Sequence, residues 1–304
     1  MIDRKTGPRI SVITPCLNGA RYIREAIDSV LVQRYERTEH IVVDGGSSDG
    51  TLELLSLYPD LKVIKGPDRG VYDALNKGLA VAEGEIIGIL NSDDCYTESV
   101  FSAVGACMAD QSILALAGDA VAFQDSTHAH QHAVTRFSDT AKDLLYQSTL
   151  GNPSINAWFF RASVFSLIGV FDADYKVAGD REFMLRLACS GLRCAQLSML
   201  VYRYRIHPAS MTFAGNNQIW ETVAREHNKM TEHYLRKRVL PKRARNLITQ
   251  ARTRDTLRIA LRSAHQHDWR RLMLYAVAGT RHDLSWPLRF IKRAFAAWTE
   301  SLRS

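Results

Sequence analysis

The first ninety residues alternate short apolar runs with segments in which apolar residues recur every three or four positions. The apolar runs predict β-strands at residues 10–14, 40–43, 61–65 and 85–90. The helical spacing between them predicts helices at residues 23–31, 51–58 and 71–82. Strands that alternate with helices in this way are typical of an α/β fold, in which a Rossmann-like, mostly parallel sheet is flanked by helices.

The pattern continues less regularly in the second part of the chain. It predicts helices at 98–109 and 180–189, with Gly191 ending the second of them, and strands at 113–123 and 197–204. A polar, histidine-rich stretch at 126–137 has no clear period. From about residue 215 the spacing is helical to the end. We therefore expect two domains, an α/β domain at 1–214 and a C-terminal α-helical extension at 215–304.

Composition is ordinary for a folded protein, with 46% hydrophobic and 23% charged residues among 304. The five cysteines form no Cys-x-x-Cys pair and no zinc-type cluster with histidine, which favours a reduced, cytoplasmic protein. Residues 1–8 lack the apolar run of a secretory signal, and no apolar run is long enough to span a bilayer. Any membrane contact is therefore expected to be peripheral, at the inner face.

Charge is distributed unevenly along the chain. Residues 231–304 contain 17 Lys and Arg against 5 Asp and Glu, whereas residues 1–230 contain 22 against 27. A basic tail of this kind predicts a polyanionic partner, although a solvated basic helix pair without a partner remains open. The tail shows no nucleic-acid-binding motif, so we expect no nucleic-acid partner.

Residues 287–304 have the pattern of an amphipathic helix. Apolar residues recur at spacings of three or four, and basic residues lie between them. Such a helix suits the surface of an anionic membrane. A helix that packs against its own protein has the same pattern, and both interpretations stay open.

Acidic and amide residues follow three of the predicted strands. Asp44 ends the second strand, Asp68 follows the third, and Asn91-Ser92-Asp93-Asp94 ends the fourth. The carboxyl ends of parallel strands meet at one edge of a sheet, where ligands bind. Adjacent carboxylates repel each other unless a cation lies between them, and Mg²⁺ or Mn²⁺ prefers such oxygen ligands together with phosphate. A turn in which Asp caps a helix is the alternative.

Four segments in order resemble family 2 glycosyltransferases, which have the GT-A fold. They read SVITPCLN at 11–18, VVDGGSSDGT at 42–51, DRGVYDALNKG at 68–78 and GEIIGILNSDD at 84–94. The likeness extends over roughly residues 8–212, and the ordered set is specific although each piece alone is weak. It implies an inverting enzyme that moves a sugar from a nucleotide-diphosphate-sugar, with UDP-sugar expected. The implied acceptor is a saccharide or lipid-linked saccharide of a cell-envelope polysaccharide.

A protein of a different class would share this resemblance. A catalytically inactive nucleotide-sugar-binding or scaffold protein of the same pathway would keep the nucleotide site. Metal-dependent release of nucleoside diphosphate would distinguish the enzyme from such a protein.

The resemblance also implies roles for residues that would hold the donor. The first loop, with Pro15, Leu17 and Asn18, would bind the base and ribose together with Asp44. Leu17 stands where the family often has an aromatic residue able to stack on the base. A second group would border the nucleotide and pyrophosphate, namely Asp68, Tyr72, Asn76 and Lys77.

The NSDD segment resembles the family's Asp-x-Asp type motif, with Asn91 in the first acidic place. Asp94 would then be the main ligand of Mg²⁺ or Mn²⁺, Asp93 would assist it, and Asn91 and Ser92 would lie at the donor. His207, after the last predicted strand, resembles a histidine of the family that touches metal or pyrophosphate.

Transfer also needs a base for the proton of the attacking acceptor hydroxyl, and one carboxylate suffices. Gly179-Asp180 resembles the acidic pair that precedes a helix in the family, with Gly179 in place of the first acid. Asp180 would be the catalytic base, although an N-cap role is the alternative. We therefore expect the carboxylates of Asp44, Asp94 and Asp180 to border a common hollow.

Overall fold

A computed structural model describes residues 7–124, 132–137, 140–208, 217–237 and 240–280 of the chain. Two compact units are present, Met1–Gly215 and Asn216–Ser304. The amphipathic pattern at 287–304 lies outside the described residues.

The described part of the first unit contains a nine-stranded sheet. Its strands are β1 (Ile10–Cys16), β2 (Thr38–Asp44), β3 (Lys62–Lys65), β4 (Ile86–Ile89), β5 (Cys95–Tyr96), β6 (Ala115–Gln124), β7 (His132–Phe137), β8 (Trp158–Arg161) and β9 (Cys194–Ile206). They lie in the order β3-β2-β1-β4-β8-β6-β9-β5, and β7 pairs with β6 beside this path.

Helices flank this sheet. They are α1 (Ile23–Leu31), α2 (Thr51–Leu55), α3 (Val71–Val81), α4 (Val100–Cys107), α5 (Leu144–Thr149), α6 (Ala162–Ile168) and α7 (Gly179–Ser190). Helix α1 shows why the pattern is informative, because the residues at helical spacing are the ones it buries. Helix α7 ends at Gly191, whose φ of 73° is left-handed, as expected from the sequence.

Strands β3, β2, β1 and β4 are mutually parallel, which confirms the predicted mostly parallel α/β sheet. Cys16 pairs with Asp44 and Asp44 pairs with Lys65, so the carboxyl ends of three strands come together. Strand β8 is antiparallel to both β4 and β6, and β9 returns parallel to β6. The last strand therefore lies beside elements far from it in sequence.

Two differences from the predicted elements have simple causes. Helix α2 ends at Leu55 rather than at 58, because Pro59 disfavours helical geometry in the residue before it. Strands β5 and β8 were not predicted, since runs of two and four residues are too short to show a period.

The described part of the second unit contains three helices, α8 (Asn217–Arg236), α9 (Lys242–His265) and α10 (Trp269–Thr280). Helices α8 and α9 share buried polar contacts: His227 Nδ1 lies 3.2 Å from Asp255 Oδ2, and Arg252 donates to the carbonyl of Asn228. Across the residues that the structure describes, no helix combines the length and apolar character needed to cross a membrane.

Candidate active site

A cavity of about 430 Å³ lies at the carboxyl ends of β1 and β4. Polar side chains from at least five separate parts of the chain line it, so the fold brings distant segments together into one site. Nine of the residues singled out from the sequence are in its wall: Pro15, Leu17, Asp68, Tyr72, Asn91, Ser92, Asp93, Asp94 and Asp180.

Asp94 is the buried anchor of the acidic loop. Its carboxylate accepts hydrogen bonds from the Tyr202 hydroxyl at 2.8 Å, the Arg205 amide at 2.7 Å and Asn91 Nδ2 at 3.1 Å. Burial and then the charge of Asp93 raise the pKa of Asp94, and the three donors oppose that rise. The structure therefore gives this carboxylate an anchoring role, which differs from the main metal-ligand role expected from the sequence.

Asp93, from the same acidic loop, forms a pair with His207. Asp93 Oδ2 lies 3.0 Å from His207 Nε2, and their side chains are 31% and 13% exposed. The Arg205 guanidinium donates to the Asp93 carbonyl, and the Tyr22 ring lies 4.9 Å from the imidazole. Arg205, whose amide binds Asp94, lies two residues before His207. One short segment at the end of β9 therefore contacts both Asp94 and Asp93.

Replacing Tyr202 by Phe should destabilise the protein by about 2–3 kcal/mol, because one buried hydroxyl serves three hydrogen bonds. It donates to Asp94 at 2.8 Å, and it accepts from the Asn91 amide and from Asn156 Nδ2, both at 3.0 Å. Urea unfolding of wild type and variant measures this loss. Tyr35→Phe is the matched control, since that hydroxyl makes one hydrogen bond, to the Pro8 carbonyl. Equal losses in both variants would contradict the network.

Asp180 lies in the first turn of α7 and also lines the cavity. Its Oδ1 accepts from the Arg181 amide at 2.7 Å and from the Tyr72 hydroxyl at 3.2 Å. The N-cap position of α7 belongs to Ala178, so Asp180 is not the cap. Burial, followed by the charges of Asp94 and Asp180, raises the pKa of the Tyr204 hydroxyl, which places that ring near both carboxylates.

Asp44 does not line the cavity, in contrast to the common hollow expected from the sequence. It is fully buried at the end of β2. Its Oδ1 accepts from the Gly46 amide at 3.0 Å and the Ser47 amide at 2.8 Å. Its Oδ2 is buried and has no hydrogen-bond partner in the described part of the chain. Thus Asp94 and Asp180 share the hollow, and Asp44 pairs across the sheet with Cys16, which also lines it.

Three further residues singled out from the sequence hold loops together outside the cavity wall. Asn18, at a left-handed φ of 53°, accepts from the Ser48 amide at 2.9 Å and thereby joins two loops. Asn76 pairs with both main-chain groups of Phe171, at 2.8 and 3.0 Å. Lys77 Nζ donates to the Pro67 carbonyl at 2.6 Å. The polar atoms of Asn76 and Lys77 therefore bind the protein's own main chain, and the expected contact of these residues with the donor stays a prediction.

Sequence reasoning missed several residues that build the wall, among them Asn156, Phe171, Tyr204 and Arg205. The signal available was the alternation of aromatic and basic residues at 202–205 in β9, which places the two tyrosines on one face of the strand and the two arginines on the other. Arg205 is the one basic side chain in the described lining, so the wall is predominantly acidic and neutral.

Comparison with known proteins identifies the family of this chain. The family model described as Glycosyl transferase family 2 matches residues 11–169, more than half of the chain. The chain belongs to this family. The glycosyltransferase is 33% identical over 190 residues to an uncharacterized glycosyltransferase of Mycobacterium tuberculosis, covering 60% of this chain and 70% of the relative. It is 29% identical to a PGL/p-HBAD biosynthesis glycosyltransferase of Mycobacterium bovis, covering 65% and 73%.

Solved structures show the same fold for this glycosyltransferase. S. aureus TarS residues 1–349, in complex with UDP-GlcNAc, superposes with a TM-score of 0.62 at 18% identity, covering 81% of this chain and 72% of that one. The chain spans 43% of the longer TarS structure. The mannosyltransferase PcManGT of Pyrobaculum calidifontis, in complex with GDP-Man and Mn²⁺, gives 0.59 at 20% identity, covering 96% and 88%. The expected GT-A fold is confirmed.

Proposed function

We propose that this glycosyltransferase is an inverting, metal-assisted enzyme that uses a nucleotide-diphosphate-sugar donor. The observation that carries the proposal is one cavity whose lining contains both Asp93, which lies beside His207, and Asp180, which comes from a different part of the chain. A site for a cation and diphosphate and a site for a general base would then face the same space.

The metal would be held by Asp93 and His207. The pair offers one carboxylate oxygen and one imidazole nitrogen, a donor set that suits Mn²⁺, and the carboxylate suits Mg²⁺. No cluster of three or more acidic, His or Cys side chains is arranged for a metal in the described residues. This fits a cation that takes its remaining ligands from the donor's phosphates and from water. When bound, it would neutralise the charge of the leaving diphosphate, for which the described wall offers Arg205 alone as a cation.

The donor's base would be recognised by Asp44. Its buried Oδ2 is an acceptor that needs an N–H donor, since an unsatisfied buried oxygen is costly. Uracil offers an N–H between two carbonyls, which supports a UDP-sugar. The TarS structure with UDP-GlcNAc agrees with a UDP donor, whereas the PcManGT structure with GDP-Man shows that the fold also accepts a guanine nucleotide.

The reaction would be a single displacement at the anomeric carbon. Asp180 would accept the proton of the acceptor hydroxyl while that oxygen forms the new C–O bond. The bond from the anomeric carbon to the diphosphate oxygen breaks on the opposite face, and the configuration inverts. No covalent enzyme intermediate is needed, so one carboxylate on the acceptor side is sufficient.

The acceptor would be a saccharide or lipid-linked saccharide of the cell envelope. Support comes from relatives that are named for PGL/p-HBAD biosynthesis. Asn152, which lines the cavity and is exposed, offers a polar group of the kind that binds sugar hydroxyls.

A donor screen tests the proposal. Release of nucleoside diphosphate is measured for UDP-glucose, UDP-N-acetylglucosamine, UDP-galactose and GDP-mannose, each with Mg²⁺ and with Mn²⁺. We expect release with at least one UDP-sugar and its loss after chelation. Background release with every donor and either metal would contradict the proposal and favour a binding or scaffold role.

Replacing Asp44 by Asn should raise KM for the UDP-sugar about tenfold, the equivalent of one lost hydrogen bond, with a smaller change in kcat. The Asn carbonyl can still accept from the Gly46 and Ser47 amides, but its NH₂ group then meets the N–H of the base. Steady-state kinetics with the best donor measures this effect. An unchanged KM would remove Asp44 from base recognition.

A further inference from the structure

Neighbours on two elements fix the ring of Tyr72. Tyr72 is the second residue of α3 and is 6% exposed. Its ring stacks on Phe171, with centroids 5.9 Å apart and planes at 26°, and Asn76 binds the Phe171 main chain. The ring also lies against Gly179, since a methyl group there would be 2.8 Å from Cδ2 and Cε2 of Tyr72. A side chain at position 179 would therefore push the ring away.

The Tyr72 hydroxyl reaches the carboxylate that we assign as the base. It donates to Asp180 Oδ1 at 3.2 Å, and the Arg181 amide donates to the same oxygen at 2.7 Å. The main-chain donor belongs to α7 itself, whereas the hydroxyl comes from residue 72. The hydroxyl is thus the contact that orients the carboxyl group relative to the donor side of the cavity.

The charged groups around Asp180 bind other partners. The Arg181 guanidinium donates to the carbonyls of Thr149 and Gly151. Glu182 forms an ion pair with Arg186 at 2.9 Å. From β9, Tyr204 lies close enough to Asp180 to feel its charge, and it is a neutral phenol because burial raises its pKa. The Tyr72 hydroxyl is therefore the side-chain group that holds the Asp180 carboxylate.

We propose that Tyr72 is a positioning residue for the base Asp180, and that Gly179 is required to make room for its ring. This inference rests on the proposed function of Asp180. It gives a physical reason why glycine replaces the first acid of the family's pair in this chain. A side chain at 179 would separate the tyrosine hydroxyl from the neighbouring carboxylate.

The test uses the full chain, the best donor of the screen, and the variants Tyr72→Phe, Gly179→Ala and the double variant. A carboxylate that loses a hydrogen-bond donor holds its proton more tightly. The acidic limb of the kcat–pH profile of Tyr72→Phe should therefore move to higher pH. We expect kcat to fall about tenfold. The affinity for UDP in the presence of Mn²⁺, measured by calorimetry, should stay within about twofold of wild type, which is a change of less than 0.5 kcal/mol.

Gly179→Ala should move the acidic limb in the same direction. In the double variant this second shift should be absent, because the hydroxyl is already gone; additive shifts would overturn the role given to Gly179. Tyr35→Phe, a buried tyrosine with one main-chain partner, should leave the profile unchanged. If Tyr72→Phe lowers the melting temperature but leaves the acidic limb in place, Tyr72 is merely structural and the inference fails.

Failure of this inference can be told apart from failure of the proposed function. Asp180→Asn that retains wild-type turnover would overturn the function of Asp180 and the role of Tyr72 with it. An inactive Asp180→Asn, together with an unmoved acidic limb in Tyr72→Phe, would overturn the role of Tyr72 alone.

Discussion

Asp180→Asn should lower kcat of sugar transfer by about a thousandfold, because an amide cannot take up the acceptor's proton and general-base catalysis is worth roughly 10²–10⁴ in rate. The amide oxygen can still accept from the Arg181 main chain, so folding should persist. Transfer is measured as nucleoside diphosphate release in the presence and absence of acceptor, and UDP affinity by calorimetry.

Asp174→Asn is the matched control for that variant. Asp174 is an exposed acid six residues before the proposed base, outside the cavity lining, and its replacement should leave turnover unchanged. Turnover of Asp180→Asn within about tenfold of wild type would be below the usual contribution of a general base and would remove Asp180 from that role.

Asp93→Ala should lower transfer by about a hundredfold or more, because a bound cation supplies several kcal/mol of charge stabilisation to the leaving group. Chelation of wild type should give a similar loss, and Mn²⁺ should restore wild type but not the variant. The expected loss is larger than for a surface acid because Asp93 lines the cavity beside His207.

Glu98→Ala provides the control here, since Glu98 is exposed and lies five residues along the same segment. Calorimetric titration with UDP and Mn²⁺ gives a readout that is independent of turnover. If Asp93→Ala binds UDP and Mn²⁺ as wild type does, the metal is held elsewhere. A wild type that keeps full activity after chelation would instead contradict a metal-assisted reaction.

The sequence predicted best the elements that have one buried face and are long enough for their apolar residues to recur at a regular spacing. Helix α1 is an example, since its apolar positions repeat with the period of the helix itself. Strand β8 is buried along its whole length, so its four residues show no alternation. A short run of that kind does not distinguish a strand from a buried helical turn.

The sequence predicted where the candidate site lies better than it predicted which groups its residues contact. Strand ends indicate which residues reach the edge of the sheet, and Asp68 and Asp93 do line the cavity, as does Asp180, which the family resemblance indicated. Sequence does not indicate which way a helix turns its polar groups. Asn76 therefore binds the Phe171 main chain, although it was expected at the donor.

The anchoring role of Asp94 was hidden for a different reason. Its donors Tyr202 and Arg205 lie more than 100 residues away in the chain, and only the pairing of β9 with β6 and β5 brings them to the loop. Local patterns carry no information about such long-range partners.

The position of β9 in the sheet has a consequence for biosynthesis. This strand lies between β6 and β5 and is followed directly by His207, so the acidic loop gains its anchor last. A nascent polypeptide that has left the ribosome up to residue 190 contains strands β1 to β8. It still lacks Tyr202 and Arg205 of β9, whose groups bind Asp94. Pairings between such distant segments form slowly. The enzyme should therefore acquire its catalytic centre in a late step, after the rest of the sheet has assembled.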